Sequence, residues 1–195
     1  MSAGDPVPQA HPDRLRWNAK YASGFVPSFA PHRLAVQALA LDLPDGPVAD
    51  LACGASGTAL LAAARGRQVT AVDISELALG LLGDEARRRG LEHLVTMVHA
   101  DLAVWPPQPR SFALVLCTGW WERAVFAIAA DAVLTGGLLG WEAFTAEARQ
   151  ARADLSPDWC LAPGEPASLL PSDFTVLSQQ DLPERMRRQL LARRQ

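Results

Sequence analysis

Val48-Ala49-Asp50-Leu51-Ala52-Cys53-Gly54-Ala55-Ser56-Gly57-Thr58, followed by Ala59 to Arg65 and then Gln68-Val69-Thr70-Ala71-Val72-Asp73, is the stretch that decides the fold. It reads as a short apolar strand, a turn of small residues, a helix with an alanine-rich face and a second apolar strand ending in a carboxylate. That order is a βαβ unit of the nucleotide-binding kind. A turn built from Ala52, Gly54, Ala55, Ser56 and Gly57 lets backbone N–H groups approach a ligand closely, because almost no side chain stands in the way. Asp73, at the end of the second strand, is placed to accept hydrogen bonds from both hydroxyls of a ribose, each worth roughly 1.5–3 kcal/mol. The expected ligand therefore contains a nucleoside. The dinucleotide fingerprint G-x-G-x-x-G is not met, because its positions hold Gly54, Ser56 and Ala59.

Outward from this unit the chain keeps alternating. Ser75 is a helix cap for a segment from Glu76 towards Arg89, with Gly90 as its stop signal. Val95-Thr96-Met97-Val98 predicts a third strand leading into Asp101, which takes the same kind of place as Asp73. Ligands of open parallel sheets bind along that edge, and two carboxylates from successive strands suit a ribose diol and an adenine amino group. Ser111 to Cys117 is apolar without a break and predicts a buried fourth strand. It ends in Thr118-Gly119-Trp120-Trp121, on the ligand edge. A helix to about Leu134, the turn Thr135-Gly136-Gly137 and a fifth strand at Leu138–Ala143 follow. Residues 145–154 read as a polar helical run. Asp173–Ser178 and Arg187–Arg193 are strand-compatible and too close together for a crossover helix, so they are expected to pair antiparallel.

Ahead of the opening unit, residues 1–13 are expected to be flexible. Residues 14–43 supply a lid and a helix: Trp17, Lys20 and Tyr21 fall in an aromatic-basic stretch, packed on the domain or closing over a ligand so that Lys20 or Tyr21 meets a carboxylate. Residues 14–195 then form a single domain, because 195 residues hold one α/β domain with a full core and no second one of normal size. No apolar run is long and clean enough to cross a bilayer, and the start of the chain lacks the basic and apolar segments of a secretory signal, so a cytoplasmic protein is expected. A net charge of −3 argues against a nucleic-acid-coating surface. The arginines between Arg185 and Arg194 are most simply a solvated terminal face. Cys53, Cys117 and Cys160 lack C-x-x-C spacing, and neither a disulfide framework nor a metal site is expected.

Motif by motif, the chain resembles the class I S-adenosylmethionine (SAM)-dependent methyltransferases. Asp50 and Gly54 match their acid-x-x-x-G-x-G motif, and Ser56 departs from it where a second glycine is usual. Trp17-Asn18-Ala19-Lys20-Tyr21, Val69 to Ser75, Ala100-Asp101-Leu102, Leu134 to Gly137 and Leu161 to Glu165 fall in the order and spacing of a small bacterial branch similar to tellurite-resistance protein B. The resemblance implies an α/β three-layer sandwich around a mostly parallel seven-stranded sheet with an antiparallel terminal strand. It implies methyl transfer from SAM, leaving S-adenosylhomocysteine (SAH), to a small-molecule acceptor. Carried over by position, Asp50 and the Ala52, Gly54 and Ser56 backbone surround the methionine part. Asp73 holds the ribose, Ile74 flanks the adenine, and Asp101 with Leu102 reads its amino edge. Thr118 lines the cofactor beneath the sulfonium, and Trp17 and Tyr21 come from the lid. Ala113 stands where the fourth-strand motif often has aspartate. Trp120 and Trp121 are expected at the substrate entrance, either as an apolar wall or as filler of a lost pocket. The alternative function is a non-catalytic SAM-binding scaffold. Among His11, His32, His93 and His99, any acceptor base is sought first at His99, the nearest to the expected site.

Overall fold

The computed structural model describes residues 7–195, and the expected flexible segment at residues 1–13 lies partly outside them. Val48, Ala49 and Leu51, with the carboxylate Asp50 among them, form β1 (Val48–Leu51), fully buried because both faces of the sheet are covered. It pairs in parallel with β2 (Val69–Asp73) on one side and β4 (Phe112–Thr118) on the other. Beyond β2 lies β3 (Val95–His99), and beyond β4 lies β5 (Val133–Thr145), both parallel. The chain then returns with β7 (Phe174–Leu182) and β8 (Arg187–Arg194), and β8 inserts antiparallel between β5 and β7. The order is β3-β2-β1-β4-β5-β8-β7, with the two-residue strand β6 (Cys160–Leu161) pairing β5 off this path. The expected mostly parallel sheet with an antiparallel terminal strand is therefore present, with the short β6 as an eighth member.

Alternating side chains on each strand feed two cores. One face packs Val48, Val69, Ala71, Leu114 and Leu116 against α2 (Arg33–Leu39), α3 (Thr58–Ala64) and α4 (Glu76–Arg88). The other packs Ala49, Leu51, Val72, Val115 and Leu139 against α5 (Arg123–Asp131). This is a helix–sheet–helix sandwich. The order of strands reverses between β1 and β4, and a crevice opens there above the C-terminal strand ends.

Some boundaries differ from expectation. The fifth strand starts at Val133 rather than Leu138, and α5 stops at Asp131 rather than near Leu134. Gly136 takes a φ of +78°, so the expected turn is an irregularity inside β5. A Cβ on Gly137 would lie 2.8 Å from the Ala113 carbonyl oxygen, so the strands approach too closely for any other residue. Of the polar run 145–154, only α6 (Ala148–Ala151) is helical. The terminal arginines are not uniformly solvated either. Arg194 is 4% exposed; its guanidinium donates to the carbonyls of Ala130, Asp131 and Val133 and to Asp173, locking β8 to the end of α5.

Candidate active site

The floor of the crevice is the turn after β1. Ala52 and Gly54 both have positive φ, +49° and +55°, which brings the chain round in a tight reversal. The Gly54 amide donates to Asp73 Oδ2 at 2.7 Å, and the Ser75 amide donates to Asp73 Oδ1 at 2.8 Å. Asp73 thus ties the two turns together while keeping a lone pair free on each oxygen. Burial pushes its carboxyl pKa up, and these amide bonds oppose the shift. Asp50 lies below the turn, 1% exposed. Burial first, then the charge of Asp73, pushes its pKa up to about 7 against the opposing Ala59 amide. Its Oδ2 has no hydrogen-bond partner among the described residues.

Ser56, the departure from the motif glycine, is accommodated. It is not among the residues of positive φ, and its Oγ accepts from the Thr58 amide at 3.4 Å, in the turn that leads into α3. Gly57 is the sterically demanding position, since a Cβ there would lie 2.0 Å from the Phe29 carbonyl oxygen.

Helix α1 (Pro12–Ala22) forms the roof. The Arg14 guanidinium grips both Glu76 oxygens, with an Nε–Oε2 distance of 3.0 Å, and Ser75 Oγ donates to Asn18 Oδ1 at 2.6 Å. The pair with Arg14 pulls the Glu76 pKa down to about 2. These contacts aim Tyr21 at the turn: a Cβ on Gly54 would lie 2.7 Å from the Tyr21 hydroxyl oxygen. Burial, followed by the charge of Asp73, pushes the Tyr21 pKa up to about 12, so the phenol stays protonated near neutrality. Gly54→Ala is expected to cost about 1–2 kcal/mol in stability from its left-handed backbone and to displace α1, weakening SAM binding. Calorimetry on Gly54→Ala with and without Tyr21→Phe checks this. Recovery of affinity in the double variant is expected, and no recovery rules out contact between the hydroxyl and the turn.

Floor and roof enclose a cavity of 380 Å³, within the roughly 300–1,000 Å³ typical of small-molecule sites. Trp17 and Tyr21 from α1, Ala52, Gly54 and Ser56 from the turn, and Asp73 and Ile74 after β2 all line it. So do Asp101, Leu102 and Thr118 from the ends of β3 and β4, whereas Asp50 sits beneath its floor. Asp101 Oδ1 accepts from the Ala103 amide at 2.9 Å, leaving its other oxygen 3.5 Å from His11 Nε2.

The two tryptophans part company. Trp120 lines the cavity, but Trp121 is 1% exposed and packs edge-on against Trp141 with ring centroids 6.0 Å apart. It belongs to the core, not to the entrance. The histidines also sort differently from expectation. His99 Nε2 lies 3.1 Å from the Ile74 carbonyl oxygen, outside the cavity lining. His32 is the histidine that lines it.

His32 belongs to a polar cluster that the sequence did not announce. Glu142, fully buried three residues before the end of β5, has Oε1 at 3.3 Å from His32 Nε2, 3.2 Å from Arg185 and 3.4 Å from Arg187. The three cationic or polar partners all line the cavity. His32 Nδ1 accepts from the Leu34 amide at 3.2 Å, capping α2. That fixes the tautomer with its proton on Nε2, facing Glu142. Neither nitrogen is then free to take a proton from an acceptor.

Residues 48–137 match the family model of the methyltransferase domain. No curated protein matches the sequence significantly. Among solved structures, one associated with conversion of a disulfide bond into a thioacetal group during echinomycin biosynthesis is 21% identical with a TM-score of 0.70, covering 93% of this chain and 91% of its own. Geranyl diphosphate C-methyltransferase from Streptomyces coelicolor, in complex with Mg2+, geranyl diphosphate and SAH, is 14% identical with a TM-score of 0.67, over 83% and 76% of the two chains. Magnesium protoporphyrin IX methyltransferase from Synechocystis, with bound SAH, is 19% identical with a TM-score of 0.62, over 83% and 80%. The match of residues 48–137 to the methyltransferase domain spans the glycine turn and both carboxylates of the cavity, Asp73 and Asp101, on a sheet of this order.

Proposed function

We propose that the chain transfers a methyl group from SAM to a small-molecule acceptor, and that the residues around the 380 Å³ cavity hold the cofactor. The observation that carries this is the convergence on one cavity of the Gly54 turn, Asp73, Asp101 and Tyr21. Asp73 has lone pairs for the ribose hydroxyls, Ile74 flanks the adenine, and Asp101 with Leu102 meets its amino edge. The amides from Ala52 to Ser56, with Asp50 below, surround the methionine part. Thr118 lies beneath the sulfonium, while Trp17 and Tyr21 cover it. The unpartnered Oδ2 of Asp50 beneath the turn suits a cationic ligand.

When bound in this cavity, SAM would supply an activated methyl group to the acceptor. The protein's task is alignment, and proximity and orientation supply roughly 7–11 kcal/mol. Here α1 excludes water above, Thr118 and Gly119 set the floor of the line of attack, and Trp120 gives the acceptor an apolar wall. With Nδ1 of His32 held as acceptor by the Leu34 amide and its proton on Nε2, the arrangement favours acceptors that need no strong base. We place residues 14–195 in one catalytic domain with residues 14–43 as lid and helix. Three unpaired buried cysteines accord with a cytoplasmic setting. Among the described residues no helix is long and apolar enough to cross a membrane, and none of their side chains form a metal-binding group. Calorimetry with SAM and SAH, followed by a methyl-release assay over mixed small acceptors, tests the function. Saturable binding and turnover are expected, and binding without turnover of any acceptor favours a scaffold.

A further inference from the structure

Beyond Thr118 the cavity continues away from the nucleoside carboxylates towards β5 and β8, and its chemistry changes sign. Asp73 and Asp101 stand on the β2–β3 side, whereas Arg185, Arg187 and His32 line the β5–β8 side. The Arg187 guanidinium lies over the end of β4: its NH1 is 3.3 Å from where a Cβ on Gly119 would be. Gly119, at a φ of +103°, carries no side chain to separate that guanidinium from the cavity. Phe144 backs it, with its ring centroid 4.1 Å from Arg187 Cζ, so the charge faces the open space rather than the sheet.

Two guanidiniums confront one carboxylate, and Glu142 offers both of them the same oxygen. Among the described residues the side chain of Arg187 hydrogen-bonds only to Glu142, at 3.4 Å, and that of Arg185 makes no hydrogen bond, lying 3.2 Å from the same oxygen. Each guanidinium has five donors in a planar fork suited to two parallel bonds with an oxyanion. Nearly all of those donors are unspent. With neutral His32 the group carries one surplus positive charge, in a half-buried setting where solvent screens it less than at the surface. A monoanion balances that charge, and a dianion overshoots it. Trp120 supplies a flat apolar wall beside it.

We infer that the methyl acceptor is a small carboxylate, its anionic group held by Arg185 and Arg187 and its apolar body laid against Trp120. This rests on the proposed SAM site and names the acceptor class for that site. The rival occupant is SAM's own carboxylate, but Tyr21 and Lys20 on α1, beside the Gly54 turn, are the groups placed for that one.

Calorimetry on SAH-saturated protein separates the cases, using benzoate, phenylacetate and 3-phenylpropionate, their amides, and phenyl phosphate. At least one acid is expected to bind ten-fold or more tightly than its amide and than phenyl phosphate. Arg185→Gln, at a 43% exposed side chain that the fold tolerates, and Arg187→Lys, which keeps charge but loses the fork, are each expected to cut that preference at least five-fold. SAH affinity is expected to stay within two-fold. Equal binding of acid and amide, no binding of any acid, preference for the phosphate, or arginine variants that chiefly weaken SAH would each overturn the assignment. Failure of the wild-type protein to bind SAH at all would instead strike the SAM site, and with it this inference.

Discussion

Asp73→Ala is expected to weaken SAM binding by about 2–4 kcal/mol, from the loss of two charge-assisted hydrogen bonds to the ribose, which is roughly a 30- to 1,000-fold rise in Kd. Asp73 is worth this much because its position is fixed before ligand arrives. One oxygen takes the Gly54 amide at 2.7 Å and the other the Ser75 amide at 2.8 Å, so the carboxylate pays little ordering cost on binding. The same two bonds mean that the variant also loosens the turn after β1. Thermal unfolding, measured without ligand, isolates that share. Asp73→Asn refines the test, since an amide nitrogen placed against the Gly54 or Ser75 N–H replaces an acceptor with a donor. Both variants should lose affinity for SAH as well as SAM, because the ribose is common to them. Unchanged affinity in Asp73→Ala would show that the end of β2 does not hold the nucleoside.

The part of the site carried by β1, β2 and β3 was legible because its determinants are local. Small residues at Ala52, Gly54 and Gly57 report a backbone reversal directly, and a carboxylate after an apolar strand reports a position on the ligand edge. Even the mismatch at Ser56 has a local answer in the bond from the Thr58 amide. What stayed illegible depends on long-range packing. His32 precedes β1, Glu142 lies three residues before the end of β5 and Arg187 begins β8, and only the antiparallel insertion of β8 beside β5, with Glu142 opposite Gln189, brings them together. Nothing in the spacing of the terminal arginines distinguishes Arg187 at the cavity from Arg194 in the sheet's buried end. Trp120 and Trp121 illustrate the same limit. The strand pattern runs out at Thr118, so no periodicity says that Trp121 turns inward to Phe126 and Trp141 while Trp120 faces the cavity. The early start of β5 is hidden in the sequence because Gly136 and Gly137 have the composition of a turn, yet here they let a strand bend without ending.

Asp50 gives the second large effect, and its sign follows from burial. The unfolded chain holds this carboxyl near its ordinary value of 3.8, while the folded chain raises it to about 7. Folding therefore takes up a proton between those pH values. Stability contributed at low pH is lost as pH rises through this window and stays lost above it. Each pKa unit corresponds to 1.36 kcal/mol, so Asp50→Asn, which cannot ionise, is expected to be more stable than wild type by up to about 4 kcal/mol at pH 8. The gap should shrink at pH 5 and close near pH 4. The amide keeps an oxygen for the Ala59 N–H and carries no charge at the position of the unpartnered Oδ2. Ligand binding should pay for this gain in the opposite direction. A sulfonium and an ammonium placed above the turn favour the ionised carboxylate, so SAM should displace the Asp50 proton and bind more tightly as pH rises from 5 to 8. Asp50→Asn should flatten that dependence and weaken binding most at the alkaline end. Thermal unfolding at pH 5 and pH 8 reads the first effect, and calorimetry in two buffers of unlike ionisation heat reads proton release on SAM binding. Parallel stability profiles for variant and wild type would mean that Asp50 is not the group titrating beneath the turn.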